Sequence, residues 1–125
     1  KILFKTAKEF DVDFVKNEDF NLQNLETIHS TLDSFINKVD AVYVTIDLDG
    51  FSSAYAPGVS AASPMGFTPD IALKSLQKII ASEKLISLDL AEYNPIYDRD
   101  NQTAKLASSL IHFILNKHNS LQINM

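Results

Sequence analysis

Residues 42–61 have the sequence VYVTIDLDGFSSAYAPGVSA, and this stretch decides how the rest of the chain is interpreted. Its first five residues are apolar or β-branched, which is typical of a strand. Asp47 and Asp49 follow at once, and a long loop of small residues then carries Pro57 and Gly58. A buried strand that ends in two carboxylates and a shaped loop indicates a metal-binding or catalytic site.

The composition is ordinary for one globular domain, with 125 residues of which 46% are hydrophobic and 22% charged. The net charge of −5 disfavours nucleic acid and anionic membranes as partners, since both attract basic surfaces. No apolar run approaches the roughly 20 residues of a membrane span. The absence of cysteine excludes disulfides and thiolate zinc sites, and it is compatible with the cytoplasmic location that we expect.

Hydrophobic periodicity predicts three helices. Apolar residues three or four positions apart predict a helix over residues 22–39, with Asn21 as its N-cap. Residues 68–70 have the sequence Thr-Pro-Asp, which combines a hydroxyl cap, a proline at the first helical position and an acid in the first turn. A last helix is expected after a cap at Asp100 or Asn101.

Residues 41–46 and 85–90 are short apolar runs without regular polar alternation, which predicts strands covered on both faces. Residues 12–15 suggest one more short strand. Strands that alternate with helices imply right-handed crossovers and a parallel sheet. We therefore expect a single α/β domain, without a linker, in which helices cover both faces of a parallel sheet.

Acidic residues are expected at one edge of this sheet. Ligands of parallel α/β sheets bind beyond the carboxyl ends of the strands, where Asp47, Asp49, Asp89 and Glu92 are predicted to lie. In extended backbone, Asp47 and Asp49 point the same way, about 6.6 Å apart, and can hold one hard cation or a pair of cations. The structural alternative is that both carboxylates accept hydrogen bonds from amides of the next loop.

Other side chains give weaker signals. His112 and His118 lie six residues apart and do not share a helical face, and His29 borders an apolar stripe. Structural or surface roles are expected for all three histidines. No Ser-His-Asp set and no Gly-rich phosphate loop can be argued. Packing within loops is expected for Tyr55, Tyr93 and Tyr97.

Residues 42–61, together with SLDLAEYNPIYDRDNQTAKLASSLI at residues 87–111, resemble the C-terminal part of the arginase, or ureohydrolase, superfamily. The family pattern is an apolar strand, S/T-x-D-x-D and A-P-G, then D-x-x-E-x-N-P-x-x-D and T-A-x-L-A. The match covers residues 40–115, and two blocks at the right mutual spacing are far more specific than D-x-D alone. The resemblance implies a three-layer α/β/α fold.

The resemblance also implies roles for individual residues. Members of the family hydrolyse amidino or guanidino C–N bonds with two manganese ions that activate a water molecule. Asp47 matches the carboxylate that bridges both metals, and Asp49 matches a ligand to one of them. Glu92 matches the catalytic-site glutamate that pairs with the cationic substrate. Asp89 matches an acid that lies next to the metal ligands without binding a metal itself.

The sequence of the loop narrows the range of expected substrates. A-P-G-V-S-A is closest to the formimidoylglutamase branch, and Ala61 stands where many members carry threonine. That branch converts N-formimidoyl-glutamate and water into glutamate and formamide, a reaction of histidine metabolism. Arginase or agmatinase activity is the alternative within the family.

The family's remaining metal ligands, an upstream histidine and a D-x-H-x-D cluster, have no match before residue 40. We therefore expect residues 1–125 to be the C-terminal part of a single arginase-like α/β domain. The isolated chain should neither bind two metals nor catalyse. The longer parent is expected to be a homo-oligomer that acts on a small amidine or guanidine.

Two other interpretations stay open from the sequence. Haloacid-dehalogenase-like phosphatases also have an apolar strand followed by D-x-D-G. There Asp47 would be the nucleophile, Asp49 the acid/base and magnesium the cofactor, although Phe51 replaces the usual Thr or Val and the E-Y-N-P block is unexplained. The chain could also be a non-catalytic α/β interaction module.

Overall fold

The computed structural model describes residues 2–123, with the side chains of residues 2–120. Strands and helices alternate from residue 25 onward. The helices and strands are α1 (Ile2–Glu9), α2 (Leu25–Ile36), β1 (Val42–Asp47), α3 (Pro69–Ala81), β2 (Leu85–Ala91) and α4 (Gln102–Ile123). Short 3₁₀ turns lie at Asn17–Asp19, Leu22–Asn24 and Leu48–Gly50.

The two strands pair in parallel, as predicted, because α3 carries the chain back between them. Val42 aligns with Leu85, and after one irregular position the register runs from Tyr43 opposite Ser87 to Asp47 opposite Ala91. The carboxyl ends of β1 and β2 therefore meet at one edge, which is where the acidic residues were expected to lie.

One face of this sheet is buried and the other is open. Ile46, Leu88 and Leu90 pack into a core with residues of α3 and α4 such as Leu76 and Leu110. The side chains of the next pleat point the opposite way. Tyr43 is 58% exposed there, and Thr45, Ser87 and Asp89 are exposed beside it.

The prediction that both strands are covered on both faces is wrong for the residues that the structure describes. Within them, α3 and α4 share one face of the sheet, and Ile86 on β2 is 74% exposed. The apolar composition of the strands was a sound indicator of parallel pairing. It did not indicate how many helical layers this length of chain supplies.

The predicted strand at residues 12–15 is also absent. The segment has no regular structure, and Val12 donates its N–H to the carbonyl of Ala7 at the end of α1. Phe14 packs its ring 5.1 Å from that of Phe4. Local contacts with α1 therefore replace the sheet pairing that the sequence suggested.

The predicted starts of α2 and α3 are confirmed in position, but the prediction that the Thr68 hydroxyl caps α3 is wrong, because this hydroxyl accepts no backbone N–H among the described residues. The Asn21 side chain accepts hydrogen bonds from the N–H groups of Gln23 and Asn24, so the helix over 22–39 begins with a 3₁₀ turn before α2. At α3, Asp70 accepts the Ile71 N–H and the Thr68 hydroxyl. The Thr68 hydrogen bond in particular lowers the pKa of Asp70.

The long loop between β1 and α3 is folded back on itself. Phe51, Ala56 and Val59 are buried, which anchors its chain in the core. The Ser52 N–H donates to the Phe67 carbonyl at 2.9 Å, and the Phe67 N–H donates to the Gly50 carbonyl at 3.0 Å. The loop is therefore an ordered part of the fold that holds its own shape.

None of the helices within residues 2–123 has the length and apolar character that a membrane span requires.

Gly66→Ala tests this closure of the loop. A Cβ at Gly66 would lie 2.4 Å from the backbone carbon of Phe51 and 2.5 Å from the Ser52 nitrogen. Because backbone cannot yield cheaply, we expect a loss of about 1–3 kcal/mol in the free energy of unfolding, measured by urea denaturation. In the control Gly50→Ala, the three atoms nearest to the added carbon all belong to the Phe67 ring, a side chain and not backbone, so a smaller loss is expected. Equal losses in the two variants would contradict this account.

Candidate metal and substrate site

Asp47 and Asp49 lie in one tight turn. β1 ends at Asp47, and Leu48–Gly50 forms a 3₁₀ turn in which the Asp49 N–H donates to Oδ1 of Asp47 at 2.8 Å. The extended geometry expected from the sequence, with its 6.6 Å spacing, is therefore wrong. The structural alternative is correct for one oxygen of Asp47, which caps the turn.

The Asp49 carboxylate is the feature that this capping does not explain. Its Oδ1 is buried and has no hydrogen-bond partner among the described residues. A buried, unpaired anionic oxygen is costly, so such an atom indicates a missing cation or donor. Leu48 and Phe51, both fully buried, hold the turn in place on either side of Asp49.

Asp89 lies in β2, two residues before Ala91, the last residue of this strand. The strand ends one residue after the predicted end at residue 90, so Asp89 lies within the strand and not beyond it. Asp89 aligns with Thr45 and is on the same open face of the sheet as Asp47. Its carboxylate accepts a hydrogen bond from the Tyr43 hydroxyl across the strands.

Glu92 is the first residue after β2 and has an unusual backbone. Its φ of 69° is in the left-handed region, which costs a residue other than glycine about 1–3 kcal/mol. Val59 pairs with Tyr93, and the Asn94 N–H donates to the Gly58 carbonyl at 2.8 Å. The A-P-G-V loop therefore holds the chain on the C-terminal side of Glu92.

The same loop is fastened to the start of α4. The Gly58 N–H donates to the Thr103 hydroxyl at 2.7 Å, and this hydroxyl is fully buried. Asp98 accepts the N–H groups of Thr103 at 2.9 Å and Ala104 at 3.1 Å. A Cβ at Gly58 would lie 2.6 Å from Cβ of Asp98, so the approach requires glycine.

Asp98, and not Asp100 or Asn101, is therefore the cap of α4. The two predicted cap residues instead adopt left-handed backbone, with φ of 50° and 57°, and reverse the chain. Sequence reasoning missed the structural role of Asp98 and Thr103. The signal was present, since they are the final D of D-x-x-E-x-N-P-x-x-D and the T of T-A-x-L-A.

The surroundings of Asp98 shift two pKa values. Burial by itself acts to raise the pKa of Asp98, but hydrogen bonds from Thr103, Ala104 and Arg99 outweigh it and lower the value to about 2. Burial and the neighbouring Asp98 carboxylate raise the pKa of Tyr93, whose hydroxyl lies 3.3 Å from Oδ2 of Asp98. Tyr93 thus belongs to the loop packing that the sequence predicted.

The structure brings three of the four predicted acids to the edge. Asp47 and Asp49 share a turn, and Glu92 follows Ala91, the residue aligned with Asp47. Two carboxylates suit a hard divalent cation, but such ions take about six ligands. Within residues 2–123, no group of three or more His, Asp or Glu side chains is placed to hold a metal. Asp47 and Asp49 could therefore supply only part of the ligand set of a metal site.

The sequence matches the family model for the Arginase family over residues 3–116. The chain belongs to the arginase family. This membership covers both acidic blocks and the loop between them. It excludes the haloacid-dehalogenase interpretation of Asp47 and Asp49, since the E-Y-N-P block and the fold now have one explanation.

Similar curated proteins agree with the family. The chain is 41% identical over 112 residues to a formimidoylglutamase of Staphylococcus carnosus, which covers 90% of this chain and 36% of that protein. It is also 41% identical over 113 residues to a formimidoylglutamase of Staphylococcus aureus, with the same coverage. The chain spans about a third of the length of these relatives.

Solved structures confirm the arginase-like α/β fold. The formimidoylglutamase of Bacillus subtilis superposes with a TM-score of 0.85 over 94% of this chain and 37% of its own, at 22% identity. Proclavaminate amidino hydrolase from Streptomyces clavuligerus gives a TM-score of 0.80 over 90% of this chain and 38% of its own, at 24% identity. At these identities the likeness is one of fold.

The Asp98 cap predicts acid sensitivity. Because the pKa of Asp98 is about 2 in the folded chain and about 3.9 in the unfolded chain, the unfolded chain takes up this proton first as the pH falls. The stabilisation is present above pH 4 and is lost between about pH 4 and pH 2. Urea midpoints across this range should fall less steeply for Asp98→Asn than for the parent sequence, whereas the exposed control Asp100→Asn should follow the parent. Parallel curves for all three proteins would contradict the assignment.

Proposed function

We propose that this chain forms the C-terminal part of a metal-dependent hydrolase of amidino and guanidino C–N bonds. The observation that carries the proposal is the buried Oδ1 of Asp49, which has no hydrogen-bond partner among the described residues. It lies in the same turn as Asp47, at the sheet edge where Glu92 follows β2. A cation at this turn would neutralise an oxygen that is otherwise costly to bury. Membership of the arginase family supports manganese as that cation.

The substrate proposed for the complete enzyme is N-formimidoyl-glutamate. Two observations support this substrate. The relatives at 40–41% identity are named formimidoylglutamases, and the loop has the sequence A-P-G-V-S-A, with Ala61 in place of threonine. Arginine and agmatine are the alternative substrates within the family. An assay of the parent enzyme with all three compounds separates them.

Each residue at the edge has a proposed task. Asp47 and Asp49 would hold manganese together with ligands from outside residues 2–123, and the metal pair would supply a water activated at neutral pH. The Glu92 carboxylate binds and orients the planar amidinium cation by charge-assisted hydrogen bonds. Asp89, on the same face of the sheet as Asp47, lies next to the turn that carries the two metal ligands and stabilises it without binding the metal.

The isolated chain is proposed to be inactive. Two carboxylates cannot complete the coordination of two ions, and the described residues offer no third ligand beside them. A cytoplasmic, homo-oligomeric parent remains our expectation from the resemblance.

Asp49→Asn tests the metal proposal in the parent enzyme. Removing the anionic ligand should lower manganese affinity at least tenfold, because even the loss of a residue that only contacts a metal ligand costs roughly 10–100-fold. Metal analysis after dialysis measures this loss. In the isolated chain, the same change should not lower the free energy of unfolding, because it removes an unpaired buried charge. Asp40→Asn, at an exposed acid, is the control for both measurements. Unchanged manganese content in the Asp49 variant would disprove the ligand role.

Glu92→Gln tests substrate binding. The glutamine keeps the shape of the side chain but loses the charge, so kcat/KM of the parent should fall about 10–100-fold, the value of one charge-assisted hydrogen bond. Manganese content should stay the same. Glu83→Gln is a matched control, because Glu83 is also exposed and also has a left-handed φ, at 60°. Full activity in the Glu92 variant, or loss of its metal, would contradict the role.

A further inference from the structure

A polar pocket of about 460 Å³ lies between the A-P-G-V-S loop and the turn that leads into α4. Its size suits a small molecule. The polar part of its lining consists of Ser53, Ser60, Tyr97 and Arg99, and the apolar side chains of Pro57 and Val59 lie beside them. None of the roles assigned above uses these four polar residues.

The pocket offers hydrogen-bond donors and a positive charge. The Arg99 guanidinium takes part in no ion pair and donates no side-chain hydrogen bond among the described residues. The hydroxyls of Ser53, Ser60 and Tyr97 likewise have no hydrogen-bond partner within residues 2–120. A guanidinium fork is complementary to a carboxylate, and hydroxyls can donate further hydrogen bonds to the same group.

The acidic residues nearby do not cancel this charge. Among the described residues, no Asp or Glu side chain lines the pocket. Asp98 directs its oxygens at the amides of Arg99, Thr103 and Ala104, so its charge is already engaged at the start of α4. Asp100 follows Arg99 in the chain but is outside the lining.

The pocket adjoins the site of Glu92. Val59, which lines the pocket, pairs with Tyr93, the residue that follows Glu92. A ligand whose cationic amidine binds Glu92 would therefore find Arg99 in the adjoining pocket as a contact for its anionic end. The Val59–Tyr93 pair lies between Glu92 and this pocket.

We propose that this pocket binds a carboxylate of the substrate, with Arg99 as the cationic contact and Ser53, Ser60 and Tyr97 as donors. The inference rests on the proposed function, and it adds a specificity-determining site for the glutamate-like end of the molecule. It predicts that the enzyme distinguishes dicarboxylate-bearing amidines from amidines that lack a carboxylate mainly through Arg99.

The binding test uses the 125-residue chain, without metal, titrated with glutarate and followed by ¹H–¹⁵N correlation NMR. Glutarate should shift the amide signals of Ser60 and Arg99, and its neutral analogue glutaramide should not. Arg99→Gln should weaken glutarate binding about tenfold or more, the value of a charge-assisted contact. Lys74→Gln removes the same charge from an exposed position on α3 and should bind glutarate like the parent chain.

Several results would overturn the proposal. They are no glutarate binding by the parent chain, equal binding of glutaramide, or equal weakening in the Arg99 and Lys74 variants, which would mean a general charge effect. Arg99-dependent binding of inorganic phosphate without binding of glutarate would also overturn it, since the pocket would then select another anion. Circular dichroism of each variant shows that the comparison is made between folded chains.

A second arm separates this proposal from the proposed function. In the parent enzyme, Arg99→Gln should raise KM for N-formimidoyl-glutamate about tenfold and leave the hydrolysis of formamidine unchanged, since that cationic substrate has no carboxylate. Glu92→Gln should impair both substrates. If the parent hydrolyses neither compound, the proposed function fails, whereas the glutarate titration still decides whether Arg99 forms a carboxylate site.

Discussion

The hydrogen bond from the Gly58 N–H to the buried Thr103 hydroxyl joins the parts of this molecule on which the candidate site depends. It connects the loop after β1 to the start of α4, while Asp98 caps the same helix and lies against Gly58. The Gly58 carbonyl in turn accepts the Asn94 N–H. One loop therefore positions both Glu92 and the wall of the Arg99 pocket.

Two local costs accumulate at the edge that this junction builds. Glu92 has a left-handed backbone, and Asp49 buries an oxygen without a partner among the described residues. Such costs persist where the surroundings over-determine the geometry, and they cluster at functional sites. Here the surroundings are the Val59–Tyr93 pairing on one side and the fully buried Leu48 and Phe51 on the other. The core thus stabilises a site that is unfavourable in itself.

The open face of the sheet shows a limit of pattern-based inference. Apolar strands predicted parallel pairing, which is correct, and burial on both faces, which is wrong within the described residues. The chain spans about a third of the length of the relatives that it matches. Within the described residues, Tyr43 is exposed because α3 and α4 occupy the other face, and Ile86 is exposed at the irregular position of the register.

The sequence by itself determined the helix starts near Asn21 and Thr68, the parallel strand pair, the sheet edge at which Asp47, Asp49 and Glu92 lie, and the family. These follow from periodicity, capping chemistry and motif spacing, all of which are local along the chain. Only the tertiary structure decided that Asp47 caps its own turn, that Asp98 caps α4, and that Ser60 meets Arg99 across a pocket. The two caps are contacts between residues two and five positions apart, but the sequence offers more than one acid near each turn and the folded backbone selects one. Ser60 and Arg99 meet because the loop after β1 folds onto the start of a distant helix, with close approaches, such as that of Gly58 to Asp98, which no local pattern specifies.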